Sequence, residues 1–149
     1  MTKEKINFYS SKEKPYGVFS NFLRKYPIQL KGKEWPTSEH YFQAQKYAGT
    51  EHEEAVRLTK DPSDAAAMGR NRTLPLRPDW NEVKNDVMRE AIYAKFTQYD
   101  SLKEILLSTG DSELVEHTTN DNYWADGGDG SGQNWLGKLL MELREKLQR

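Results

Sequence analysis

A helix that starts near Ser38 brings three polar side chains and one aromatic ring onto a single face. The members of this face, at i, i+3, i+4 and i+7, are Glu39, Phe42, Gln43 and Lys46. Glu39 lies in the first turn, where free backbone N–H groups and the helix dipole favour a negative charge. Two interpretations stay open: Glu39 stabilises its own helix, or it is an ionised carboxylate that activates water and stabilises a positive transition state.

A glycine-rich segment from Asp126 to Gly132 leads into a closing helix. Glycines let the backbone approach a ligand closely, and a helix N-terminus is favourable for an anion. The segment lacks the Lys-Ser/Thr ending of a phosphate-binding loop and the closing glutamate of an EF-hand. A long surface loop and a loop whose backbone contacts phosphate are therefore the two open interpretations.

Arginines follow a glycine in Gly69-Arg70-Asn71-Arg72, and Trp80 and Lys84 share a face of the next helix. Guanidinium groups bind phosphate in a bidentate manner, although solvated loop arginines would give the same pattern. The tryptophan is either a packing residue or one wall of a ligand pocket.

Several kinds of chemistry are excluded or disfavoured by the residue types. The chain has no cysteine, so thiolate metal sites and thiol catalysis are excluded. No two of its three histidines have the i, i+4 spacing of a metal site, and no G-x-S-x-G nucleophile motif is present. We therefore expect neither a metal nor any other cofactor.

The composition indicates an ordinary globular protein. The chain has 149 residues, 22 Lys and Arg, 23 Asp and Glu, and a net charge of −1, which disfavours a generally basic nucleic-acid binder. Its mean hydropathy is −0.94, and no apolar run is long enough to cross a membrane. With no signal-peptide pattern at the N-terminus, we expect a cytoplasmic protein.

The pattern of turns and apolar residues predicts a mainly helical α+β fold in one domain over residues 1–149. Short strands are predicted at Ile6–Tyr9, Tyr26–Leu30 and Glu113–Thr118. Helices are predicted at Ser38–Ala48, Glu51–Lys60, Ser63–Met68, Asp79–Gln98, Ser101–Leu107 and Leu136–Leu147.

The order of several segments along the chain resembles the NADAR superfamily, also called the YbiA-like family. The resembling segments are INFYS at 6–10, FSNF at 19–22, WPTSEHYFQAQKY at 35–47, AMGRN at 67–71, Trp80, Lys84 with Val87-Met88, and the C-terminal YWADGGDGSGQNWLGKLLMELR. The resemblance extends over nearly the whole chain and implies a compact, mainly helical α+β domain.

The resemblance implies hydrolysis of an N-glycosidic bond. Family members are linked to cleavage of ribosylamino-pyrimidine phosphates, which are early intermediates of riboflavin synthesis. Others are linked to removal of ADP-ribose from guanine bases, and a non-catalytic ADP-ribose or nucleotide-binding module is a further alternative. By motif, Glu39 is the expected catalytic carboxylate and Trp80 and Trp124 are expected pocket residues, while Asp126 is a candidate second acidic group.

The same hypothesis assigns the remaining site residues by chemical type. Aromatic rings stack on a flat heterocycle or line its slot, and amides form hydrogen bonds with its polar edge. Cations or the loop backbone bind phosphate. The rings are Trp35 and Phe22, the amides Asn21, Gln43 and Asn134, and the phosphate contacts Arg70, Lys84, Gly130 and Gly132. The expected partner is a small phosphorylated ribosyl heterocycle or ADP-ribosylated guanine, with no membrane, and with nucleic acid bound only as a modified substrate.

Overall fold

The structure, a computed structural model, describes residues 4–149. Four short strands are found in these residues: β1 (Lys5–Phe8), β2 (Ile28–Leu30), β3 (Lys33–Trp35) and β4 (Glu113–Glu116). They are accompanied by six α-helices: α1 (Ser38–Gln45), α2 (Glu51–Arg57), α3 (Pro62–Arg70), α4 (Trp80–Gln98), α5 (Asp100–Ser108) and α6 (Trp135–Gln148). The prediction of a mainly helical α+β fold is confirmed.

The described chain divides into two compact units. One unit consists of Asn21–Gln98, and the other combines the residues up to Ser20 with Tyr99–Arg149. The single domain expected over residues 1–149 stays a prediction, and the two units are described in turn.

In the first unit, α1 is buried along its whole length. The Thr37 side chain caps it by accepting a hydrogen bond from the backbone N–H of His40 at 3.0 Å. Strands β2 and β3 precede the helix as an antiparallel hairpin in which Ile28 pairs with Trp35. We did not predict β3, because three residues are too few to show an alternating pattern.

Helix α3 differs from its prediction at both ends. Pro62 is its first residue, so the helix begins before Ser63, and the backbone N–H of Asp61 donates to Asp64 Oδ2 at 3.3 Å. At the other end the helix passes through Gly69 to Arg70 instead of stopping at the glycine. The reason is packing, because a Cβ on Gly69 would lie only 1.8 Å from Gln43 Oε1 on α1.

Helix α4 presents an apolar stripe to the core. Val87, Ala91 and Ala94 are buried, whereas Val83 is only half-buried. Trp80 begins the helix and is itself buried, which places the indole in the first turn of α4.

In the second unit, β1 and β4 pair in parallel from Lys5 with Glu113 to Phe8 with Glu116. Helix α6 packs close to β4, because Gly137 has no side chain and an added Cβ would lie 2.1 Å from Leu114 O. The inward leucines of α6 are buried at 136, 139, 140 and 143, while Leu147 is half-buried near the helix end.

Candidate active site

Glu39 is a buried carboxylate with an oriented side chain. Only 8% of the residue is exposed, and its Oε2 accepts a hydrogen bond from Gln43 Nε2 at 2.7 Å. Its backbone N–H donates to Asn21 O at 3.2 Å, so the start of α1 is tied to the segment before β2. This arrangement holds the carboxylate in one place.

Asn21 lies beside the start of α1 as a buried amide, 8% exposed. Its Oδ1 accepts from Ser38 Oγ at 2.8 Å, and its Nδ2 donates to Met88 Sδ at 3.4 Å. A thioether is a weak acceptor, so the Nδ2 group keeps most of its capacity to donate to a ligand.

Two aromatic rings stand next to the predicted polar face of α1. The rings of Phe42 and Trp80 meet edge to face with centroids 5.1 Å apart. The ammonium of Lys46 lies 5.9 Å from the Phe42 centroid and 5.7 Å from the Trp80 centroid. These rings and the ammonium therefore form one cluster, in which the cation is attracted to both π-faces.

Lys46 also belongs to a group of cationic side chains. Its Nζ donates to Gly69 O at 3.1 Å, and Arg72 Nη2 donates to the same carbonyl oxygen. Burial, together with the charges of Arg72, Arg70 and Lys84, lowers the pKa of Lys46 to about 8, although the charge of Glu39 acts in the opposite direction. Two predicted phosphate contacts, Arg70 and Lys84, therefore lie close enough to Lys46 for their charges to act on its ammonium.

Sequence reasoning did not assign Lys46 or Arg72 to the site. Lys46 was placed on the Glu39 face by its i+7 spacing, and Arg72 stands in the Gly69–Arg72 motif. The sequence therefore held a pattern that pointed to each residue. Spacing along the chain does not show, however, that both cations donate to one glycine carbonyl.

The two other predicted ring residues of this unit, Trp35 and Phe22, differ in exposure. Trp35 is fully buried, donates from Nε1 to Leu30 O at 2.9 Å and meets the Tyr41 ring edge to face. It has no exposed surface on which a heterocycle could stack, so it packs the core in this structure. Phe22, by contrast, is 40% exposed and its ring is accessible.

In the second unit, Asp126 organises the glycine-rich loop. Its Oδ2 contacts His117 Nδ1 at 2.7 Å, and its Oδ1 accepts backbone N–H groups of Thr118 at 3.1 Å and Gly128 at 2.8 Å. Burial alone would raise the pKa of Asp126, but these hydrogen bonds outweigh it and lower the pKa below its usual value. Both carboxylate oxygens are therefore already engaged.

The loop after Asp126 turns through glycines at positive φ. Gly130 is exposed with φ 88°, and Gly132 lies so close to the preceding backbone that a Cβ would be 2.5 Å from Ala125 O. A polar depression of about 370 Å³ opens here, lined by Thr119, Asn120, Asp121, Asn122, Gly127 and Ser131.

Asn134 and Trp124 flank the same loop. Asn134 has φ 52°, donates from Nδ2 to Leu114 O at 2.9 Å and accepts at Oδ1 from Glu116 N–H at 3.0 Å. Both ends of the Asn134 amide are thus engaged in hydrogen bonds to β4. We had expected this amide to form hydrogen bonds with the substrate. Trp124 is half-buried, with its ring edge to face against Tyr123 at 4.9 Å.

Across residues 4–149, no group of three or more histidine, aspartate or glutamate side chains is arranged to hold a metal ion. The helices described there also include none that is both long and apolar enough to pass through a membrane.

Nearly the whole chain matches a known protein family. The model described as NADAR domain matches residues 7–148. The chain belongs to the NADAR family. This membership confirms the relationship predicted from the order of the sequence motifs.

Relatives within the NADAR family carry enzyme names. The chain is 56% identical to N-glycosidase YbiA of Escherichia coli over 95% of this chain and 88% of that protein. It is 43% identical to N-glycosidase Npun_R5314 of Nostoc punctiforme, covering 90% of this chain and 87% of that protein. A protein of Vibrio vulnificus named riboflavin biosynthesis protein VVA0006 is 42% identical over 98% of this chain, which spans 39% of that longer protein. The prediction of an N-glycosyl hydrolase is confirmed by these relatives.

The fold of this NADAR protein agrees with a solved structure. The NMR structure of E. coli YbiA matches with a TM-score of 0.90 at 54% identity, covering 99% of this chain and 87% of that one. The predicted YbiA-like fold is confirmed.

Proposed function

We propose that this protein hydrolyses the C–N glycosidic bond of ribosylamino-pyrimidine phosphates, with Glu39 as the catalytic carboxylate. The observation that carries the proposal is the buried Glu39 carboxylate, held by Gln43 Nε2 at 2.7 Å and close enough to Lys46 for its charge to act on that ammonium. The names of the N-glycosidase and riboflavin-biosynthesis relatives support the substrate class.

The proposed role of Glu39 follows from the chemistry of the bond. As the C–N bond breaks, its electron pair leaves with the nitrogen, and positive charge develops on the anomeric carbon and ring oxygen. A fixed carboxylate beside that carbon stabilises the charge and orients the attacking water. The water oxygen bonds to the anomeric carbon, and the proton it releases neutralises the departing amine, directly or through solvent.

The position of Glu39 suits a charge stabiliser better than a proton donor. The first turn of α1 and the Gln43 amide both present N–H donors to the carboxylate, and neither supplies an acceptor for a carboxyl proton. Asn21, whose Nδ2 donates to the weak acceptor Met88 Sδ, is proposed to bind the heterocycle edge, and Trp80 to shape its slot.

The roles of the second unit's residues stay predictions. Trp124 as a pocket wall, Asp126 as a second acidic group, and Gly130, Gly132 and Asn134 as substrate contacts rest on the family motif. The observed bonds of Asp126 and Asn134 support a positioning role for both, in which they shape the glycine-rich loop. A cytoplasmic location likewise stays a prediction.

The direct test is incubation of the protein with a panel of substrates, followed by mass spectrometry of the released bases. The panel contains a ribosylamino-pyrimidine phosphate, ADP-ribosyl-guanosine, NAD and ADP-ribose. We expect release of the aminopyrimidine together with ribose phosphate. Release of guanosine alone would instead assign the protein to ADP-ribosylated guanine, and no release from any compound would favour a binding module.

Glu39→Gln is the matching variant, and Glu51→Gln is its control. Both glutamates lie in the first turn of a helix, but Glu51 is exposed. We expect Glu39→Gln to lower kcat by about 100- to 1000-fold or more, with an unchanged circular dichroism spectrum. Glu51→Gln should retain full activity. A folded, fully active Glu39→Gln protein would refute the assignment.

A further inference from the structure

Four cationic side chains from different segments lie close enough for their charges to interact. Lys46 directly follows α1, Arg70 ends α3, Arg72 lies in the loop that follows, and Lys84 is in α4. The charges of the three other cations all act on Lys46. We call these four side chains the Lys46 cluster.

The two cations nearest the centre share a neutral partner. Gly69 O accepts from Lys46 Nζ at 3.1 Å and also from Arg72 Nη2. A carbonyl oxygen carries no formal charge, so it orients the ammonium and the guanidinium without neutralising them. Arg72 Nε also donates to an uncharged oxygen, Arg70 O, at 3.4 Å. The N–H groups that do not donate to these carbonyls can bind an anion.

The packing of α1 on α3 builds this arrangement. Gly69 has no side chain, so Gln43 can pack directly against its Cα, and Lys46 can reach the Gly69 carbonyl. Beneath the ammonium, the rings of Phe42 and Trp80 limit where Lys46 can move. The cluster is therefore supported on one side by aromatic rings and on another by the helix backbone.

The grouping of four cations is local. The whole chain carries a net charge of −1, so this group is not a sample of a generally basic surface. Bringing like charges together raises the free energy of the empty site, and a bound anion would offset that cost. A dianion with three oxygens suits two guanidinium groups and two ammonium groups better than a single carboxylate does.

We infer that the Lys46 cluster, formed by Lys46, Arg70, Arg72 and Lys84, binds the phosphate group carried on the substrate's ribose. The inference rests on the proposed function and adds the group that selects a phosphorylated substrate over an unphosphorylated one. Lys46 is a specificity-determining residue in this view, because it lies on the same helical face as Glu39 and links the phosphate site to the catalytic carboxylate.

The inference has a consequence for pH dependence. The charged groups that act on Lys46 are Glu39 from its own helix, Arg70 and Arg72 around the end of α3, and Lys84 from α4. A phosphate dianion favours the protonated ammonium, so binding near pH 8 should be accompanied by proton uptake at Lys46. Affinity should then fall as the pH rises above about 8, where Lys46 of the free protein loses its proton.

The test compares ribose 5-phosphate, ADP-ribose and ribose as ligands of the wild-type protein by isothermal titration calorimetry. The first two distinguish a phosphate monoester from a diphosphate, and ribose lacks phosphate. We expect ribose 5-phosphate to bind and ribose to bind at least about tenfold more weakly. Tighter binding of ADP-ribose would keep the phosphate site and change the substrate class to diphosphates. Equal binding of ribose and ribose 5-phosphate, or no detectable binding of either phosphate compound, would overturn the inference.

The variants Lys46→Met and Arg72→Gln test the cluster, and Lys60→Met is the control because Lys60 is exposed in the same unit. We expect each cluster variant to weaken ribose 5-phosphate binding by roughly 10- to 100-fold. In buffers of different ionisation enthalpy, proton uptake at pH 8 should disappear in Lys46→Met and persist in Lys60→Met. Cluster variants that bind ribose 5-phosphate as tightly as Lys60→Met does would overturn the inference.

The binding measurement breaks no glycosidic bond, so its outcome is separate from that of the hydrolysis assay. If Glu39→Gln binds ribose 5-phosphate normally while the wild type hydrolyses nothing, the phosphate site stands and the proposed reaction fails. If hydrolysis depends on Glu39 but not on substrate phosphate, the reaction stands and the inference fails.

Discussion

Gln43 Nε2 donates to Glu39 Oε2 over 2.7 Å, one turn further along the same helix. Within residues 4–149, the other end of this amide, Oε1, is buried and has no hydrogen-bond partner. It packs against Gly69, where a Cβ would lie 1.8 Å away. The amide thus orients the carboxylate while its own Oε1 acceptor stays unpaired. A buried acceptor left unpaired lowers stability, and this is typical of a group retained for function.

This relationship predicts that Gln43→Met lowers activity but leaves stability nearly unchanged. Removing the donor should lower kcat by roughly 10- to 100-fold, because a hydrogen bond to a charged group is lost. The free energy of unfolding should change by less than about 1 kcal/mol, because the unpaired Oε1 is removed as well. Steady-state hydrolysis and urea unfolding measure the two effects.

Gln148→Met is a control for the same exchange at an exposed position near the end of α6. It should alter neither property. If Gln43→Met lost stability by several kcal/mol and lost activity only through unfolding, the orienting role of Gln43 would be wrong.

Lys95 is a buried cation that the proposed reaction does not use. Only 1% of it is exposed, and burial lowers its pKa from 10.5 to about 7. The unfolded chain keeps the higher pKa and binds more protons between these values, so the stability of the protein should rise with pH from about 7 towards 10. Lys95→Met should therefore be more stable than the wild type at pH 7, by on the order of 2 kcal/mol.

The pH dependence separates this explanation from a simple packing effect. The gain from Lys95→Met should be largest at or below pH 7 and should shrink as the pH rises towards 10. Urea unfolding of both proteins at pH 6.5, 8 and 9.5 gives the comparison. A gain that is constant across this range would show that the charge of Lys95 is not responsible.

Asp126→Asn should destabilise the unit that holds the glycine-rich loop. The side chain is only 8% exposed and interacts with His117 and with two backbone N–H groups, so we expect a loss of about 1–3 kcal/mol at pH 7. Hydrogen bonding lowers the pKa of Asp126 in the folded protein, so this contribution is present above the unfolded pKa of about 3.8. It disappears as the pH falls through the lower folded value.

Urea unfolding at neutral and acidic pH tests the contribution of Asp126, with Asp129→Asn as the exposed control in the same loop. The control should have a smaller effect, because Asp129 is exposed and its bonds within residues 4–149 are local ones from Ser131, two residues later. Equal losses in the two variants would mean that Asp126 has no special part in holding the loop.

Much of the fold could be predicted because its signals are local. The Thr37 cap, the apolar stripe of α4 and the leucines of α6 are read within one or two helical turns. Strand β3 could not be predicted, because three residues are too few to show an alternating pattern. The observed ends of α3 could not be predicted either, because Gly69 is kept inside its helix by packing against α1.

The same distinction holds for the candidate site. Glu39, Gln43 and Lys46 share a face by spacing alone, but nothing local shows that Trp35 belongs to the core. Asn134 is a comparable case, since its amide bonds to the strand β4, about twenty residues earlier in the chain. Residue type alone cannot show which amides and rings are already occupied.

By itself the sequence determined the family, the helical periodicity and the residues able to carry the chemistry, because motifs and spacing are properties of the chain. Only the tertiary structure decided which of these residues meet. The contact at Gly69 is the clearest instance: a missing side chain lets α3 approach α1, and one carbonyl then holds both Lys46 and Arg72 near Glu39. Such a contact joins groups more than twenty residues apart, so it depends on helix packing, which no local pattern encodes.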